Sequence, residues 1–162
     1  MTPRAADAGD AAAIAEIWNA IIRDTLVTFN PIEKSRTEVE ALIAARIGAA
    51  GGTFVAEIGG RVAGFASYAQ FRGGAGYART MEHTILLAPE ARGQGFGRGL
   101  MAAVMEDARA KGVHSLFAGV SGANPEGRAF HCALGFQEVA VLREVGWKWG
   151  RWHDLHLMQK RL

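Results

Sequence analysis

The chain has one cysteine, Cys132, so no disulfide can form within it, and a reducing cytoplasm is the expected setting. No apolar run approaches the length of about 18 residues that a membrane-spanning helix needs. The small apolar stretch at residues 11–15 is broken up by Asp7, Asp10 and Glu16, which argues against a signal peptide. Charge of one sign is also scarce: 18 Lys and Arg against 16 Asp and Glu leave a net +2, with the basic residues scattered. That distribution gives no electrostatic footprint for nucleic acid. The 5 histidines lack the spacing of a structural metal site, so no metal is expected. Repeats and low-complexity segments are absent. What remains is a globular composition, 49% apolar and 21% charged, expected to form one domain spanning residues 1–162.

Periodicity then places the elements. Ile14, Ile17, Trp18 and Ile21 share one helical face, with Asp10 as the expected cap, and residues 25–31 break that helix. Ser35-x-x-Glu38 has the form of a capping box. It precedes a second stripe, Val39, Leu42, Ile43 and Ile47, ended by Gly48, Gly51 and Gly52. Residues 53–58 and 61–71 read as strands joined by a Gly59-Gly60 turn, and 80–87 as a third strand stopped by Pro89. A helix is predicted over about 98–111, a strand over 115–120 and a helix over 125–134 with Asn124-Pro125 at its start. Strands at 139–145 and 155–159 flank a Trp-rich turn from Trp147 to Trp152. The order α-α-β-β-β-α-β-α-β-β predicts an α/β (α+β) fold. Its mixed, mostly antiparallel sheet is flanked by helices, with one crossover that requires a parallel strand pair.

Two stretches carry chemistry. The first is Arg92-Gly93-Gln94-Gly95-Phe96-Gly97-Arg98, four glycines in seven residues with Gly99, ahead of an amphipathic helix. Glycines let backbone amides approach a ligand, and a helix N-terminus adds unpaired N–H groups and a positive dipole end, so the stretch suits a phosphate. It lacks the lysine of a nucleoside-triphosphate loop, and no acidic residue follows where a dinucleotide fold needs one. The second is Glu82-His83-Thr84-Ile85-Leu86-Leu87. On a strand, Glu82 and Thr84 point to one face and His83 and Ile85 to the other. A carboxylate in an otherwise apolar strand is costly to bury, and partial burial raises its pKa toward that of a general base. The other reading of Glu82 is a surface or salt-bridged side chain.

The spacing Arg92-x-x-Gly95-x-Gly97 after a strand resembles the pyrophosphate loop of the GNAT acetyltransferases, and the element order is similar from end to end. Glu82-His83-Thr84-Ile85, Phe71-Arg72, Asn124 and Gly150-Arg151-Trp152-x-Asp154 look like the branch of phosphinothricin and methionine sulfoximine N-acetyltransferases. The resemblance implies acetyl-CoA as cosubstrate and Glu82 as general base. It implies that Arg72, Gly73, Gly74, Glu82, His83 and Thr84 contact the acceptor amine. The strand residues Ile85, Leu86 and Leu87 would bind the acetyl and pantetheine part. Arg92, Gly93, Gln94, Gly95, Phe96, Gly97 and Arg98 would bind the pyrophosphate, with Asn124 a further coenzyme A contact. Phe130-His131-x-x-x-Gly135-Phe136 is similar to a family element in which a tyrosine protonates the leaving thiolate. Here His131 stands in its place, either as that acid or as a structural histidine. The Trp147, Trp149 and Trp152 region reads as core or interface packing, and the resemblance implies a homodimer.

In that branch a second arginine directly follows the aromatic of the glycine loop. Here Ala78 separates Tyr77 from Arg79, a displacement that on a strand means the opposite face. The implied reaction is acetyl transfer from acetyl-CoA to the primary amine of a small amino-acid-like acceptor by direct attack, since no activated Ser or Cys nucleophile is visible. Alternative acceptors are a protein N-terminus, a lysine or a polyamine. A non-catalytic coenzyme A sensor is the alternative from another class.

Overall fold

The computed structural model describes residues 2–47 and 51–162. Among them, seven strands form one sheet in the order β1-β2-β3-β4-β5-β7-β6. The strands are β1 (Arg4–Ala5), β2 (Gly52–Ile58), β3 (Arg61–Gln70), β4 (Thr80–Leu87), β5 (Ser115–Ser121), β6 (Gln137–Lys148) and β7 (Arg151–Arg161). Four α-helices flank them: α1 (Ala11–Asp24), α2 (Arg36–Ile47), α3 (Phe96–Ala110) and α4 (Pro125–Ala133). Every strand pair is antiparallel except β4–β5, the pair that the α3 crossover joins.

The two faces of the sheet hold separate apolar clusters. On one, Leu100, Met101, Val104 and Ala108 of α3 pack on Ala66, Tyr68, Met81 and Leu116. On the other, Ile14, Ile17 and Ile21 of α1 and Val39 and Ile43 of α2 pack on Val55, Phe65 and Leu86. Burying one such leucine or isoleucine side chain contributes about 1.5–3 kcal/mol, so the helices are pinned by their stripes rather than by propensity.

Several local expectations are met with atoms in place. Ser35 and Glu38 form the reciprocal capping box: the Glu38 amide donates to Ser35 Oγ at 3.1 Å and the Ser35 amide to Glu38 Oε2 at 2.6 Å. Gly59 and Gly60 both take positive φ, as a two-residue hairpin turn requires. Asn124 Oδ1 accepts from the Gly127 amide at 2.9 Å and Pro125 opens α4.

Other expectations are corrected. Asp10 does not cap α1 with its side chain. A short 3-10 turn over Ala8–Asp10, capped by Asp7, precedes α1, and the Asp10 carboxylate is taken by Arg4 through two contacts of 2.8 Å. Ile47 lies off the buried stripe and is exposed, and the stop expected at Gly48 lies outside the described residues. α3 starts two residues early, at Phe96, because Gly95 takes a left-handed conformation and serves as its cap. The last hairpin is longer than predicted: Trp147 and Trp152 are paired strand residues, and Trp149 and Gly150 make the turn. Strand β1 carries no pattern in its two residues and was not expected.

Candidate active site

The site begins where β4 and β5 part. β4 pairs with β3 over nearly its whole length, from Met81 to Leu87. It pairs with β5 only from Thr80 to His83. From Thr84 onward its backbone N–H and C=O groups on the β5 side have no strand partner, leaving a free edge inside the protein that suits an amide-bearing ligand added as a further strand. The same gap lets residues from both faces of the sheet reach one space.

That space has two connected parts. A cleft of about 470 Å³ runs over Ile85, Leu86 and Leu87 of the free edge. It continues to Arg92, Gly93, Gly95, Gly97 and Arg98 of the glycine loop and past Asn124, Gly127 and Phe130 of the α4 start. Gly93 and Gly95 have φ of 72° and 85°, which turn the loop so that it feeds the N-terminal amides of α3. Gly97 serves closeness rather than curvature: a methyl there would stand 3.2 Å from the Phe130 ring and 3.5 Å from Leu87. Two of the expected cofactor contacts have side chains turned away from this cleft. Gln94 is not in the lining, and its side chain folds back to donate to the Glu90 carbonyl at 2.5 Å. Phe96 is also outside the lining and buries its ring in the core.

The second part, about 170 Å³, is lined by Glu82, His83, Thr84 and Gly119, with Trp18, Val27 and Thr28 from α1 and the segment after it. Val27, Ile85, Leu86, Asn124 and His131 line both parts, so the two form one continuous site. A larger cleft of about 880 Å³ lies along α1, beside Arg4, Glu16 and Glu57. It touches the glycine loop only through Arg92 and lacks Glu82, so it does not join Glu82 to the glycine loop.

Glu82 is accessible to solvent, yet desolvation by the surrounding protein raises its pKa above the ordinary carboxylate value. It is open toward the pocket and enclosed from behind. Among the described residues no cation or hydrogen-bond donor pairs with it. The salt-bridged alternative therefore has no counterpart, while the solvent-facing one is met in that Glu82 is exposed. Its Oε1 stands 3.0 Å from where a methyl on Gly119 would lie, so the absence of a side chain at 119 keeps the carboxylate uncovered. Phe71 stacks on Phe117, the β5 residue in register with Glu82, at 4.6 Å between ring centres.

His83 and His131 meet on the opposite face, with ring centres 5.0 Å apart and the Phe136 ring against both. Burial, then the neighbouring His131, pushes the His83 pKa down to about 3, so the ring is neutral. His131 Nδ1 lies 2.6 Å from the Gly127 carbonyl, which can only accept, so that nitrogen carries the hydrogen. Burial lowers the His131 pKa while the Gly127 contact opposes it. In the neutral ring Nε2 is therefore bare and accepts rather than donates. Acting as an acid from Nε2 would require an imidazolium that this setting disfavours.

Arg72, Gly73 and Gly74 lie on the exposed β3–β4 connection and outside the pocket lining. The Arg72 guanidinium sits over the Tyr77 ring at 5.5 Å. Tyr77 closes a 3-10 turn over Ala75–Tyr77, so the strand parity expected to invert Arg79 does not apply there. The sequence marks the segment bearing Val27 and Thr28 only as a helix break. Its signal, apolar Val27 and Phe29 amid loop-forming neighbours, marks a loop that packs inward. Trp147, Trp149 and Trp152 are more than half exposed, which removes the core reading. Among the described residues no group of three His, Cys, Asp or Glu side chains converges as a metal site, and no helix is long and apolar enough to cross a membrane.

Residues 16–136 match the Acetyltransferase (GNAT) family. The L-methionine sulfoximine/L-methionine sulfone acetyltransferase of Salmonella typhimurium is 36% identical over 162 residues, covering 100% of this chain and 95% of that protein. The phosphinothricin N-acetyltransferase of Alcaligenes faecalis is 33% identical over 154 residues, 94% of this chain and 78% of that protein. A Salmonella typhimurium structure holding its cofactor acetyl-CoA superposes with a TM-score of 0.96 at 36% identity, covering 100% of this chain and 94% of that one. A ribosomal-protein-alanine N-acetyltransferase from Brucella melitensis superposes with a TM-score of 0.96 at 36% identity, covering 100% of both chains.

Proposed function

We propose, starting from the fact that this chain belongs to the acetyltransferase (GNAT) family, that its acceptor is a small L-amino-acid-like amine of the methionine sulfoximine or phosphinothricin type. The chain is an N-acetyltransferase that uses acetyl-CoA. The acceptor enters the pocket of about 170 Å³, whose size suits one amino-acid-sized group. The observation that carries this reading is the junction: an unpaired Glu82 carboxylate and the free edge of β4 open into the same space.

In this reading the glycine loop and the α3 start hold the pyrophosphate through backbone amides, with Arg92 and Arg98 adding charge. Ile85, Leu86 and Leu87 align the thioester along the free edge, where a fixed N–H faces the oxygen that gains charge. An amino-acid acceptor arrives as ammonium. Glu82, kept basic by desolvation, accepts one proton from it, and the freed lone pair attacks the acetyl carbonyl. The carbon–sulfur bond breaks, and the nitrogen's second proton passes to the departing thiolate directly or through water, without help from His131, since thiols ionise near pH 8.5. Arg72, on the exposed β3–β4 connection beyond the lining, pairs with the acceptor's carboxylate. The enzyme works as one domain in the cytoplasm. It pairs with a second copy through the exposed β6–β7 face, where Trp147 and Trp152 meet edge to face at 5.0 Å.

A second reading, acetylation of a protein N-terminal residue, draws on the Brucella melitensis likeness. The test is thiol release from acetyl-CoA with L-methionine sulfoximine and L-phosphinothricin, set against alanine-initiated peptides and polyamines. Release far above background with the two amino-acid analogues alone is expected. Release with peptides alone would replace the first reading by the second.

A further inference from the structure

We propose that Lys148 is a positioning residue for the acceptor end of the site, acting by holding the strap at residues 25–30 against it; the proposal rests on the reading of the Glu82 pocket as the acceptor site. Lys148 lies on β6, 126 positions from Ile22, and its side chain is buried. Its ammonium donates to three carbonyls: Ile22 at 2.6 Å, Thr25 at 2.7 Å and Thr28 at 2.9 Å. An ammonium has three N–H groups, and all three are used. Ile22 is among the last four residues of α1, whose carbonyls have no intrahelical partner. Lys148 thus both ends the helix and catches the chain that leaves it. Burial pulls its pKa down, while three acceptors and the negative end of α1 keep the proton on. Among the described residues no carboxylate pairs with it, so it is not one half of a surface ion pair.

The rest of the strap is clamped by the same hairpin. Phe29 stacks on His153 at 5.5 Å between ring centres, and His153 Nε2 lies 2.9 Å from the Lys148 carbonyl. Gly146 leaves room for the Phe29 ring, which a methyl there would overlap. Trp149, at the hairpin turn, lies 5.4 Å over the ammonium. The clamped segment then presents Val27 and Thr28 to the pocket that holds Glu82, and Thr25 and Val27 to the cofactor cleft. A loop with this little regular structure keeps one wall of a small pocket in register only if its carbonyls are tied down. An arginine fork cannot aim three donors at one point as an ammonium does.

The test compares Lys148→Met and Lys148→Arg with the parent enzyme. It measures acceptor KM and kcat by thiol release with L-methionine sulfoximine, acetyl-CoA Kd, and amide hydrogen exchange over residues 26–30. Lys148→Met should raise acceptor KM by about tenfold or more, because small displacements of a positioning wall are amplified at the chemistry. Acetyl-CoA Kd should change several-fold less than acceptor KM, since the strap touches the cofactor cleft only through Thr25 and Val27 while the glycine loop lines its far end. Exchange should quicken in the strap and stay unchanged in α3, with Lys148→Arg restoring only part of both. Unchanged strap exchange, or a lower Tm with unchanged acceptor KM, would overturn the proposal. Should Lys148→Met not fold, Phe29→Ala loosens the strap from its other side, and an unaltered acceptor KM there overturns it equally. Failure of the acceptor reading looks different: Glu82→Gln would then keep full turnover, whatever the strap does.

Discussion

The two halves of the site are made of different materials. In the proposed site the cofactor half is mostly backbone: the free edge of β4, the glycine turn at 93–97 and the first amides of α3. The acceptor half is side chains and loops gathered from four distant places: Glu82 on β4, Gly119 on β5, His131 on α4 and the strap after α1. Backbone geometry tolerates many side chains and so can be kept while the ligand stays fixed. A pocket made of side chains changes with each substitution, so the acceptor half is where one fold acquires different substrates.

Substitutions in each half should therefore fail in different quantities. The largest effect belongs to Glu82→Gln, which should cut kcat/KM at neutral pH by about 10²–10⁴ and leave acetyl-CoA affinity unchanged, read by steady-state kinetics beside calorimetry. An equal loss of acetyl-CoA affinity would erase the division between halves. Gly97→Val should do the reverse. Its side chain meets Phe130 and Leu87 and forces α3 away from the cleft, an overpacking cost of about 1–3 kcal/mol. That weakens acetyl-CoA binding by about ten- to a hundredfold while the order of preferred acceptors stays the same.

A third prediction concerns the floor beneath both halves. The His83 pKa is about 3 in the folded state against 6.5 unfolded, so the unfolded chain binds the extra proton. Stability is then intact above pH 6.5 and falls as pH is lowered toward 3, by about 2 kcal/mol at pH 5. Urea midpoints at pH 7 and pH 5 should separate more for the parent than for His83→Phe, and equal separations would show that the buried ring does not carry this dependence. The smallest effect is Gly119→Ala, whose methyl presses on Glu82 Oε1 and should lower kcat by about threefold without touching acetyl-CoA Kd.

The same division explains what could be read from the sequence. Glycines at 93, 95 and 97 before an amphipathic helix mark the candidate phosphate loop because backbone chemistry leaves a local pattern. The capping box at Ser35 and Glu38 and the Gly59-Gly60 turn are legible for the same reason. Glu82 stands out as a carboxylate in an apolar strand, but its pairing state depends on elements that meet only in space. The strap at 25–30 and its Lys148 clamp join residues 120 or more positions apart, and no local period encodes that. His131 could be singled out by position, while its tautomer is set by the Gly127 carbonyl, a contact only the folded helix α4 makes. The Trp residues at 147 and 152 looked like turn residues because their strand pairing depends on the length of a hairpin with few turn-specific signals.

The most direct test of the account is the pH profile of kcat/KM for L-methionine sulfoximine in the parent enzyme and in Glu82→Gln. A glutamate that accepts the acceptor's proton must be ionised, so the parent rate should fall as pH drops through the raised Glu82 pKa. Above that pKa it should hold level up to the pKa of the acceptor amine. Without the base only the free amine reacts, so the Glu82→Gln rate should keep climbing with pH across the range where the parent is flat. Parallel profiles in the two proteins would show that Glu82 is not the proton acceptor.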